Sequence, residues 1–546
     1  MQEQRKSKLQ VVFSLEVLEP KIGQVVIVPA DTSWNDFGHR IRCTFQASLN
    51  AQSPVVSGDM FIGFLPSPGE PEDEFFKRRL SLFEIIESNG LSAIVSDDAP
   101  TFFTLLPDLK GYRYIVERLG PKDADFFLKS VMDLVASKGG KNEWVEKALA
   151  TDVFKLGFMR NSEPFFAFNN ADSVLGGLAS EDFTAISKSL NLSFRMEGAE
   201  LPYSLDLRFS NQDIIPRRIN ILIGKNGLGK SQTLKNFCRA ALQYKDEGLK
   251  LTDHDSRDGR PMISRVLAIA TPGETRNTFP PERKKDQKLF YRRLNLTRGG
   301  KSSVTRSIGD ALVRLARNEE FIGENSRWSL FVGALEKSLP IDSIVIPLQG
   351  GEFASLVGFV SGGEQRCLER WASVESNVEV GLKISGVVFP LSSGQLTFFK
   401  LTLLCCLYIE NGSYVLMDEP ETHLHPNLIS ELVDILDYLL EQTGSHAIIA
   451  THSAYFVREV SKEQVHVFHQ VSNGLVEIDQ PRLRTFGATV DSISQFVFGE
   501  DVEIRLIDKL YERIKDRSFQ DVDKELGDQL SLAALMDIRR RMEANS

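Results

Sequence analysis

The sequence predicts an α/β fold built on a parallel sheet, and three observations lead to this prediction. The apolar strand Ile219 to Ile223 runs into a glycine-rich loop that is followed by a helical pattern. Two more apolar segments, Tyr414 to Met417 and His446 to Ala450, each lead into polar residues. Between them, Leu428 to Leu440 has the apolar spacing of an amphipathic helix. Apolar strands that alternate with helices are typical of parallel sheets covered on both faces.

Length and composition bound the class of protein. A chain of 546 residues is too long for one core, so two or three structural units are expected. Its net charge of −10 argues against a protein that coats nucleic acid over its whole surface, but it is compatible with a local basic patch. No apolar run reaches the roughly 18 residues of a membrane helix, and the N-terminus lacks the apolar core of a signal peptide. The five scattered cysteines lack CxxC spacing, which predicts reduced thiols in a cytoplasmic protein and no zinc site.

Changes in pattern divide the chain into five segments. The N-terminal region has strands followed by helices, and a long insertion of helical character separates two parts of an α/β head. The C-terminal segment is charged and helical. The predicted boundaries are 1–190 for the N-terminal α/β region, 191–280 and 389–500 for the two parts of the head, 281–388 for the helical insertion, and 501–546 for the helical tail.

The loop after the first strand has the pattern GxxxxGKS, which is typical of a phosphate-binding loop. Its glycines allow the backbone to wrap around phosphate groups, and the helix N-terminus presents positive potential to the anion. Lys230 is expected to reach the β- and γ-phosphates of ATP, and Ser231 is expected to bind Mg²⁺. The predicted ATP-binding residues of this loop are Gly224, Asn226, Gly227, Gly229, Lys230, Ser231 and Gln232.

Two carboxylates follow the second apolar strand. Asp418 is expected to bind Mg²⁺, directly or through water, so Asp418 and Ser231 are the predicted metal ligands. Glu419 is expected to act as the general base that polarises the attacking water. The third strand leads to His452, a second predicted catalytic residue, which is placed to hydrogen-bond the γ-phosphate and the water near Glu419. The remaining histidines of this region are predicted to be loop or packing residues: His423, His425 and His446.

Four motifs, in this order along the chain, resemble the head of an ABC-type ATPase: GKNGLGKS, LSSGQ, VLMDEPETHLHP and IIATHS. The resemblance covers about residues 200–500. The DEPExxLHP form is more similar to soluble members than to transporters. That soluble branch includes RecF-like and SMC-like repair proteins, overcoming-lysogenization-defect (OLD) nucleases and antiphage ATPases. The resemblance implies an ABC-type P-loop ATPase head that binds ATP and Mg²⁺ and forms a head-to-head homodimer or a higher assembly.

In such dimers, a serine-glycine loop of one copy reaches the γ-phosphate held by the other, and this chain offers two candidates. Ser392 lies 26 residues before Asp418, which leaves room for one helix and a turn, and that helix would point its N-terminus at phosphate. The second candidate, Ser361 to Gln365, is more similar to LSGGEQ but requires an insertion before the same strand. The predicted contacts to the partner's ATP are therefore Ser392, Ser393, Gly394 and Gln395.

Two further segments, TSWNDFG at 32–38 and TFGATVDSISQFVFG at 485–499, resemble the ATPase subunits of Septu-type defence modules (PtuA), including retron-associated ones. This resemblance implies an HNH nuclease subunit as partner and, in retrons, a reverse transcriptase with its RNA–DNA hybrid. It also implies a complex that stays inactive until phage interference releases the nuclease. The implied function is an ATP-hydrolysing regulatory subunit that gates the nuclease through nucleotide-dependent head dimerisation.

Two departures bear on the enzymatic activity. ABC heads carry a glutamine after the strand that follows the P-loop helix, and its absence from 266–274 implies slow hydrolysis and a nucleotide-sensing role. Only 94 residues follow His452, too few for the two-metal nuclease domain of OLD-like relatives, and the acid pair Asp521 and Asp523 lies outside any apolar strand. No nuclease centre is therefore predicted. The alternative function is an autonomous RecF- or OLD-like DNA-processing ATPase, and the lack of a membrane segment disfavours a transporter head.

The insertion begins with a basic segment, 282–306, which holds nine Lys or Arg against two acids and so a local charge of +7. Phe290 and Tyr291 lie among the basic residues. This mixture suits contact with a nucleic-acid backbone and the stacking of one base. A solvated arm, or contact with an acidic protein subunit, explains the charge equally well.

Overall fold

The computed structural model contains an N-terminal α/β unit and an α/β head into whose sequence a further segment is inserted. None of the helices in the described part of the chain has both the length and the apolar character that a membrane span requires. The segment TSWNDFG, His423 and most of the basic segment lie outside the described residues. The structure describes residues 8–30, 39–66, 70–71, 75, 79–139, 142–177, 186–196, 202–211, 213–270, 278–282, 288–296, 307–375, 378–422, 424–470, 476–498, 505–515, 517–530 and 532–544.

The N-terminal unit is a six-stranded sheet with helices packed against it. The strand order is β5-β1-β2-β3-β4-β6, in which β1 and β2 are parallel and the other neighbours are antiparallel. The strands are β1 (Gln10–Ser14), β2 (Gln24–Pro29), β3 (Arg42–Ser48), β4 (Val56–Phe64), β5 (Ala93–Val95) and β6 (Phe102–Leu105). The helices are α1 (Leu82–Ser88), α2 (Leu109–Leu119), α3 (Pro121–Ser130), α4 (Leu134–Ser137), α5 (Glu143–Ala150) and α6 (Ser162–Leu175).

The head is built on a seven-stranded sheet in the order β12-β11-β19-β20-β9-β21-β22, and only the edge strand β22 is antiparallel to its neighbour. This confirms the predicted α/β class with a parallel sheet. The strands are β9 (Ile219–Gly224), β11 (Arg265–Ala270), β12 (Phe290–Asn295), β19 (Ser413–Asp418), β20 (His446–Thr451), β21 (Val465–Gln470) and β22 (Val476–Asp479).

Both faces of this sheet are covered, which explains why its strands are apolar along their whole length. On one face, the helices α11 (Ser393–Tyr408) and α12 (Asn427–Thr443) join side chains such as Ile221 and Met417 in one core. On the other face, Leu222 and Leu416 pack with the helix α7 (Lys230–Ala241). A three-stranded antiparallel sheet completes that second layer: β7 (Ser189–Phe194), β8 (Tyr203–Arg208) and β10 (Lys250–Asp253).

The segment predicted as a helical insertion contains strands as well as helices. Its first described strand, β12, pairs with β11 and forms an edge of the head sheet. Leu294 packs into the core on one face of this sheet, and Tyr291 packs into the core on the other face. The helices are α8 (Ile308–Ala316), α9 (Arg327–Leu335) and α10 (Glu364–Ala372). The strands are β13 (Phe321–Ile322), β14 (Asn325–Ser326), β15 (Ile344–Pro347), β16 (Phe353–Ser355), β17 (Gly381–Ile384) and β18 (Val387–Pro390), the last four in one antiparallel sheet.

The C-terminal part is helical in its described residues, as predicted. A single helical turn, α13 (Ala454–Val457), follows the head strand β20, and α14 (Val490–Phe498) comes after β22. The tail has its own small apolar cluster around Val522 and Ile538. Its helices are α15 (Arg505–Ile514), α16 (Phe519–Leu526) and α17 (Leu532–Ala544). The division of the whole chain into five segments stays a prediction.

A buried carboxylate connects the N-terminal unit to the head. Glu410, in the turn between α11 and β19, forms ion pairs with Arg113 of α2 at 2.7 Å and with Arg327 of α9 at 3.4 Å. Burial alone would raise the pKa of Glu410, but the guanidinium groups of Arg113, Arg327 and Arg265 hold it down at about 2. Arg327 also donates to the carbonyl oxygens of Cys406 and Ile409, at 2.9 and 2.7 Å, at the end of α11.

The first residue of β20 is a buried histidine, in agreement with its predicted packing role. The His446 ring stacks on Phe209 at 4.4 Å between centroids and meets the edge of Tyr414. Neither of its ring nitrogens has a hydrogen-bond partner within the described ranges. Burial, with smaller contributions from Lys188 and Arg218, lowers the pKa of His446 to about 3.

We predict that His446→Phe removes a pH-dependent part of the stability. Because the folded chain disfavours the imidazolium, the stability from this residue is present above the unfolded pKa and is lost as pH falls from 6.5 towards 3. Between about pH 7.5 and about pH 5 the variant should gain about 2 kcal/mol relative to the wild type. Urea unfolding at both pH values measures this, with His425→Phe, a change at an exposed histidine, as control. Equal pH dependence of wild type and variant would contradict the burial argument.

Candidate functional site

The glycine-rich loop joins the end of β9 to the start of α7. Lys230 is the first residue of α7, and Gly229 before it has a φ of 94°, a left-handed conformation that glycine adopts without strain. At Gly224, the neighbouring strand approaches so closely that a Cβ atom would lie 2.4 Å from the carbonyl oxygen of Phe468. The predicted ligands Asn226, Gly227 and Gln232 are exposed.

The Lys230 side chain is buried and folds over the loop. Its Nζ donates to the carbonyl oxygens of Gly224 at 2.8 Å and of Lys225 at 3.0 Å. Burial lowers the pKa of Lys230, and three nearby carboxylates oppose that shift. The ammonium group therefore lies near the acidic side chains at the end of β19 and in the turn after it. Those carboxylates are Glu419, Asp418 and Glu421.

Asp418, the last residue of β19, is bound by two hydroxyl groups. Ser231 Oγ donates to Asp418 Oδ1 at 2.9 Å, and Thr278 Oγ1 donates to Asp418 Oδ2 at 2.9 Å. Burial raises the pKa of Asp418, and these two hydrogen bonds lower it. Carboxylate and hydroxyl oxygens are the ligands that Mg²⁺ prefers, so the donor set of Ser231 and Asp418 fits this ion.

Glu419 occupies a constrained backbone position directly after β19. Its φ of 48° is left-handed, which costs a non-glycine residue about 1 kcal/mol. A hydrogen bond from its backbone N–H to the carbonyl oxygen of Ala450 in β20, at 2.8 Å, stabilises this turn. The side chain of Glu419 remains about one third exposed, at 37%, so its carboxylate is accessible to a water molecule.

His452 follows the neighbouring strand β20 and lies beside two carboxylates. Its Nδ1 is 3.2 Å from Glu421 Oε1 and 3.9 Å from Glu419 Oε1. The structure thus brings together the predicted residues Lys230, Ser231, Asp418, Glu419 and His452 at the carboxyl ends of three parallel strands. This is the edge of an α/β sheet at which ligands generally bind.

The serine-glycine loop predicted to contact the partner's ATP lies at the start of α11. Ser392 caps α11 by accepting from the backbone N–H of Gln395, and the Gln395 side chain accepts from the N–H of Ser392. Gly394 packs so closely against the first turn of α12 that a Cβ atom would lie 2.4 Å from Leu428 Cδ1. Ser393, the first residue of α11, is exposed. The helix then leads through a short turn into β19, as the spacing predicted.

The competing loop at 361–365 also precedes a helix. Gly363 is the N-cap of α10, and the guanidinium of Arg370 donates to the carbonyl oxygen of Ser361 at 3.0 Å. However, α10 leads to the hairpin β17–β18 of the inserted segment and not to the head sheet. Because both loops precede a helix, helix position alone does not decide which loop contacts the partner's ATP. The connection of α11 to β19 favours the loop at Ser392.

The described part of the basic segment is half-buried, with Leu289, Tyr291 and Leu294 in the core. Tyr291 is 2% exposed and donates to the carbonyl oxygen of Pro280 at 2.8 Å, so its predicted stacking on a base is wrong. Its side chain faces the core because β12 adds to the head sheet. Phe290 contacts the guanidinium of Arg265 at 4.3 Å, and Arg292 pairs with Glu282 at 2.9 Å. Residues 283–287 and 297–306 lie outside the described residues.

Two functional candidates were missed by sequence reasoning. Thr278 follows a stretch without a recognisable pattern, and only its contact with Asp418 identifies it. Glu421 stands within DEPE, two residues after Glu419, so the motif itself offered a signal. Its burial and its contacts with the end of β20 distinguish it from a solvated acid.

Comparisons with known proteins find sequence matches that include part of the head. A family model described as "AAA domain, putative AbiEii toxin, Type IV TA system" matches residues 374–458, which include the Ser392 loop, Asp418 and His452. Protein ea59 of Escherichia phage lambda is 28% identical over 298 residues, which are 51% of this chain and 54% of that protein. The chain thus spans about half the length of this curated relative.

Two solved structures are similar to the chain at low identity. One is cbiO1 from Clostridium perfringens, part of the ABC transporter complex cbiONQ, with 14% identity, a TM-score of 0.28, and coverage of 60% of this chain and 97% of that one. The other is the SMC head domain from Thermotoga maritima, with 16% identity, a TM-score of 0.27, and coverage of 54% and 99%. We assign the α/β head from its own strand order and loop geometry and not from these low-scoring superpositions.

We predict that Gly224→Ala disrupts the loop and that Gly227→Ala is tolerated. A methyl group at 224 meets the backbone of Phe468, which cannot move without distorting β21, so the cost should be about 3 kcal/mol. At 227 the space is open, and the positive φ of 82° costs only about 1 kcal/mol. Thermal unfolding of both variants measures the difference. Equal unfolding midpoints would contradict the close approach of the two strands.

Proposed function

We propose that this chain is an ATP-binding and ATP-hydrolysing subunit that acts as a dimer of heads. The observation that carries this proposal is the convergence of Lys230, Asp418, Glu419 and His452 at one edge of the parallel sheet. A buried lysine at a helix N-terminus provides positive charge and amide donors for phosphate groups. The adjacent acids provide sites for a metal ion and a base.

In this proposal, Ser231 and Asp418 would hold Mg²⁺, which would supply positive charge to the phosphate groups when bound. Lys230 turns from the carbonyl oxygens of its own loop to the β- and γ-phosphates. Charge-assisted hydrogen bonds to phosphate are among the stronger contacts that a protein makes. Lys230 and the loop amides of 224–231 therefore fix the nucleotide in place.

Glu419 is the general base in this proposal, and His452 is the second catalytic residue. The accessible carboxylate of Glu419 accepts a proton from the attacking water, while the His452 ring hydrogen-bonds the γ-phosphate and the same water. The partner copy contributes its Ser392 loop, whose helix N-terminus adds positive potential at the γ-phosphate. ATP then lies between two heads, so its hydrolysis controls their association.

We further propose that head association gates a partner HNH nuclease in an antiphage complex of the Septu or retron type. Three features support this: the resemblance of TFGATVDSISQFVFG to Septu ATPase subunits, the family model named for a toxin of a type IV toxin–antitoxin system, and the absence of glutamine from 266–274. The missing glutamine favours slow turnover, as a gate requires. In a retron, a reverse transcriptase with its RNA–DNA hybrid completes the complex.

The alternative function is an autonomous DNA-processing ATPase of the RecF or OLD type. The charge of the basic segment is the observation that favours it. Purification of the chain with its gene neighbours separates the two functions. Co-purification with an HNH subunit, whose cleavage activity depends on ATP, supports gating. DNA-stimulated ATP hydrolysis by the chain alone supports the alternative.

We predict that Glu419→Gln keeps ATP binding, slows hydrolysis and traps a dimer of heads. The amide preserves the shape of the carboxylate but cannot accept a proton, so the loss in rate should be about 10²-fold or more. Phosphate release measures the rate, and light scattering with ATP measures the mass. Lys230→Ala is the matched control, because it should lose ATP binding and the dimer together. Wild-type hydrolysis by Glu419→Gln, with no change in mass, would contradict the proposed function.

We predict that the basic segment binds nucleic acid through its charge and not through stacked aromatic rings. Reversal of Lys284 and Lys285 to Glu should weaken binding and flatten its salt dependence, since each neutralised phosphate contributes a slope of about −0.7 to −0.9. Reversal of the exposed Lys250 and Lys383 changes the net charge equally and serves as control. Fluorescence anisotropy at several salt concentrations measures both quantities. Unchanged nucleic-acid affinity, with loss of a protein subunit in a pull-down, would assign the segment to assembly.

A further inference from the structure

A buried glutamate links the strand that ends at Asp418 to the strand that precedes His452. Glu421 lies two residues after Glu419, in the turn that follows β19, and it is only 8% exposed. Buried carboxylates are rare unless they are paired or hydrogen-bonded, because removing the charge from water is costly. The contacts of Glu421 therefore indicate what compensates for its burial.

Two donors share a single oxygen of this carboxylate, and the ring of His452 lies beside it. Glu421 Oε1 accepts from the hydroxyl of Thr451 at 2.5 Å and from the backbone N–H of His452 at 3.0 Å. The ring Nδ1 of His452 lies 3.2 Å from the same atom. A carboxylate only accepts hydrogen bonds, so its position beside Nδ1 favours a proton on that ring atom. Glu421 thus holds the backbone at His452 and places a negative charge next to one side of the ring.

The geometry distinguishes Glu421 from the catalytic carboxylate beside it. Glu419 Oε1 is 3.9 Å from His452 Nδ1, beyond hydrogen-bond distance, and its side chain is 37% exposed. Glu421 is closer to the ring and shielded from water. Its second oxygen, Oε2, is buried and has no hydrogen-bond partner within the described residues. An acid so placed is poorly suited to accept a proton from a water molecule, but it is well suited to hold the ring.

We propose that Glu421 is a positioning residue that orients His452 so that its Nε2 faces the γ-phosphate and the attacking water. This inference rests on the proposed ATPase function. With Nδ1 beside Glu421, Nε2 is the ring atom left to face the nucleotide. A neutral ring accepts a hydrogen bond there from the water, and a protonated ring donates one to the phosphate. Glu421 itself contacts neither.

A double-mutant cycle tests this proposal. Glu421→Gln replaces the charged acceptor by a neutral group of the same shape, so His452 loses a charged hydrogen bond and kcat should fall about tenfold or more. The affinity for ATP should not fall, because Lys230 and the loop hold the nucleotide and the variant removes a negative charge near Lys230. In a His452→Ala background, Glu421→Gln should have no further effect on kcat, since the residue acts through the missing ring. Glu431→Gln on α12 is the control for loss of a carboxylate.

A second measurement follows the ring directly and does not depend on turnover. In chain labelled with ¹⁵N-histidine, which has eight such residues, the His452 signal is identified by its loss in His452→Ala. It should report protonated Nδ1 in the wild type and a mixture of tautomers in Glu421→Gln. A wild-type tautomer in Glu421→Gln, a wild-type kcat, or a loss of kcat that is additive with His452→Ala would overturn the role of Glu421. Wild-type hydrolysis by both Glu419→Gln and His452→Ala would instead overturn the proposed ATPase site.

Discussion

The ion pairs of Glu410 are the interaction on which the arrangement of the molecule depends. Arginines from three parts of the chain surround this fully buried carboxylate: Arg113 of the N-terminal unit, Arg327 of the inserted segment and Arg265 at the start of β11. Glu410 occupies the turn that ends α11 and begins β19. Loss of one partner would leave an uncompensated buried charge, at a cost of about 3–5 kcal/mol. The network therefore fixes α11, β19 and the N-terminal unit relative to one another.

That relation sets the geometry of the site at the opposite end of β19. Glu410 holds the start of this strand and so fixes the position of its last residue, Asp418. There Asp418 accepts hydrogen bonds from Ser231 and Thr278. The strand β20 lies between β9 and β19, so His452 stands between the phosphate loop and the acids. The backbone bond from Glu419 to Ala450 and the side-chain bonds of Glu421 to Thr451 and His452 connect β20 to the turn after β19.

The sequence predicted what depends on local pattern. Uninterrupted apolar strands, glycines and the two acids after Met417 identified the parallel sheet and its functional edge, because the carboxyl ends of parallel strands meet there. It could not predict partners that are distant in the chain. Thr278 lies 140 residues from Asp418, and Arg113 lies 297 residues from Glu410, so no spacing brings either pair together. The basic character of 282–306 also concealed the edge strand β12, which places Tyr291 in the core and not on a nucleic-acid surface.

The excess of acidic side chains near Lys230 means that ATP binding at this site requires additional positive charge. Lys230 is surrounded by the carboxylates of Asp418, Glu419 and Glu421, so the acids outnumber the lysine by two. A nucleotide polyphosphate entering such a site adds further negative charge, and in a buried environment like charges repel strongly. The loop amides and the dipole of α7 offset only part of this repulsion. A divalent cation held by Ser231 and Asp418 would supply the remaining positive charge, so the proposed mechanism predicts that nucleotide and metal binding are interdependent.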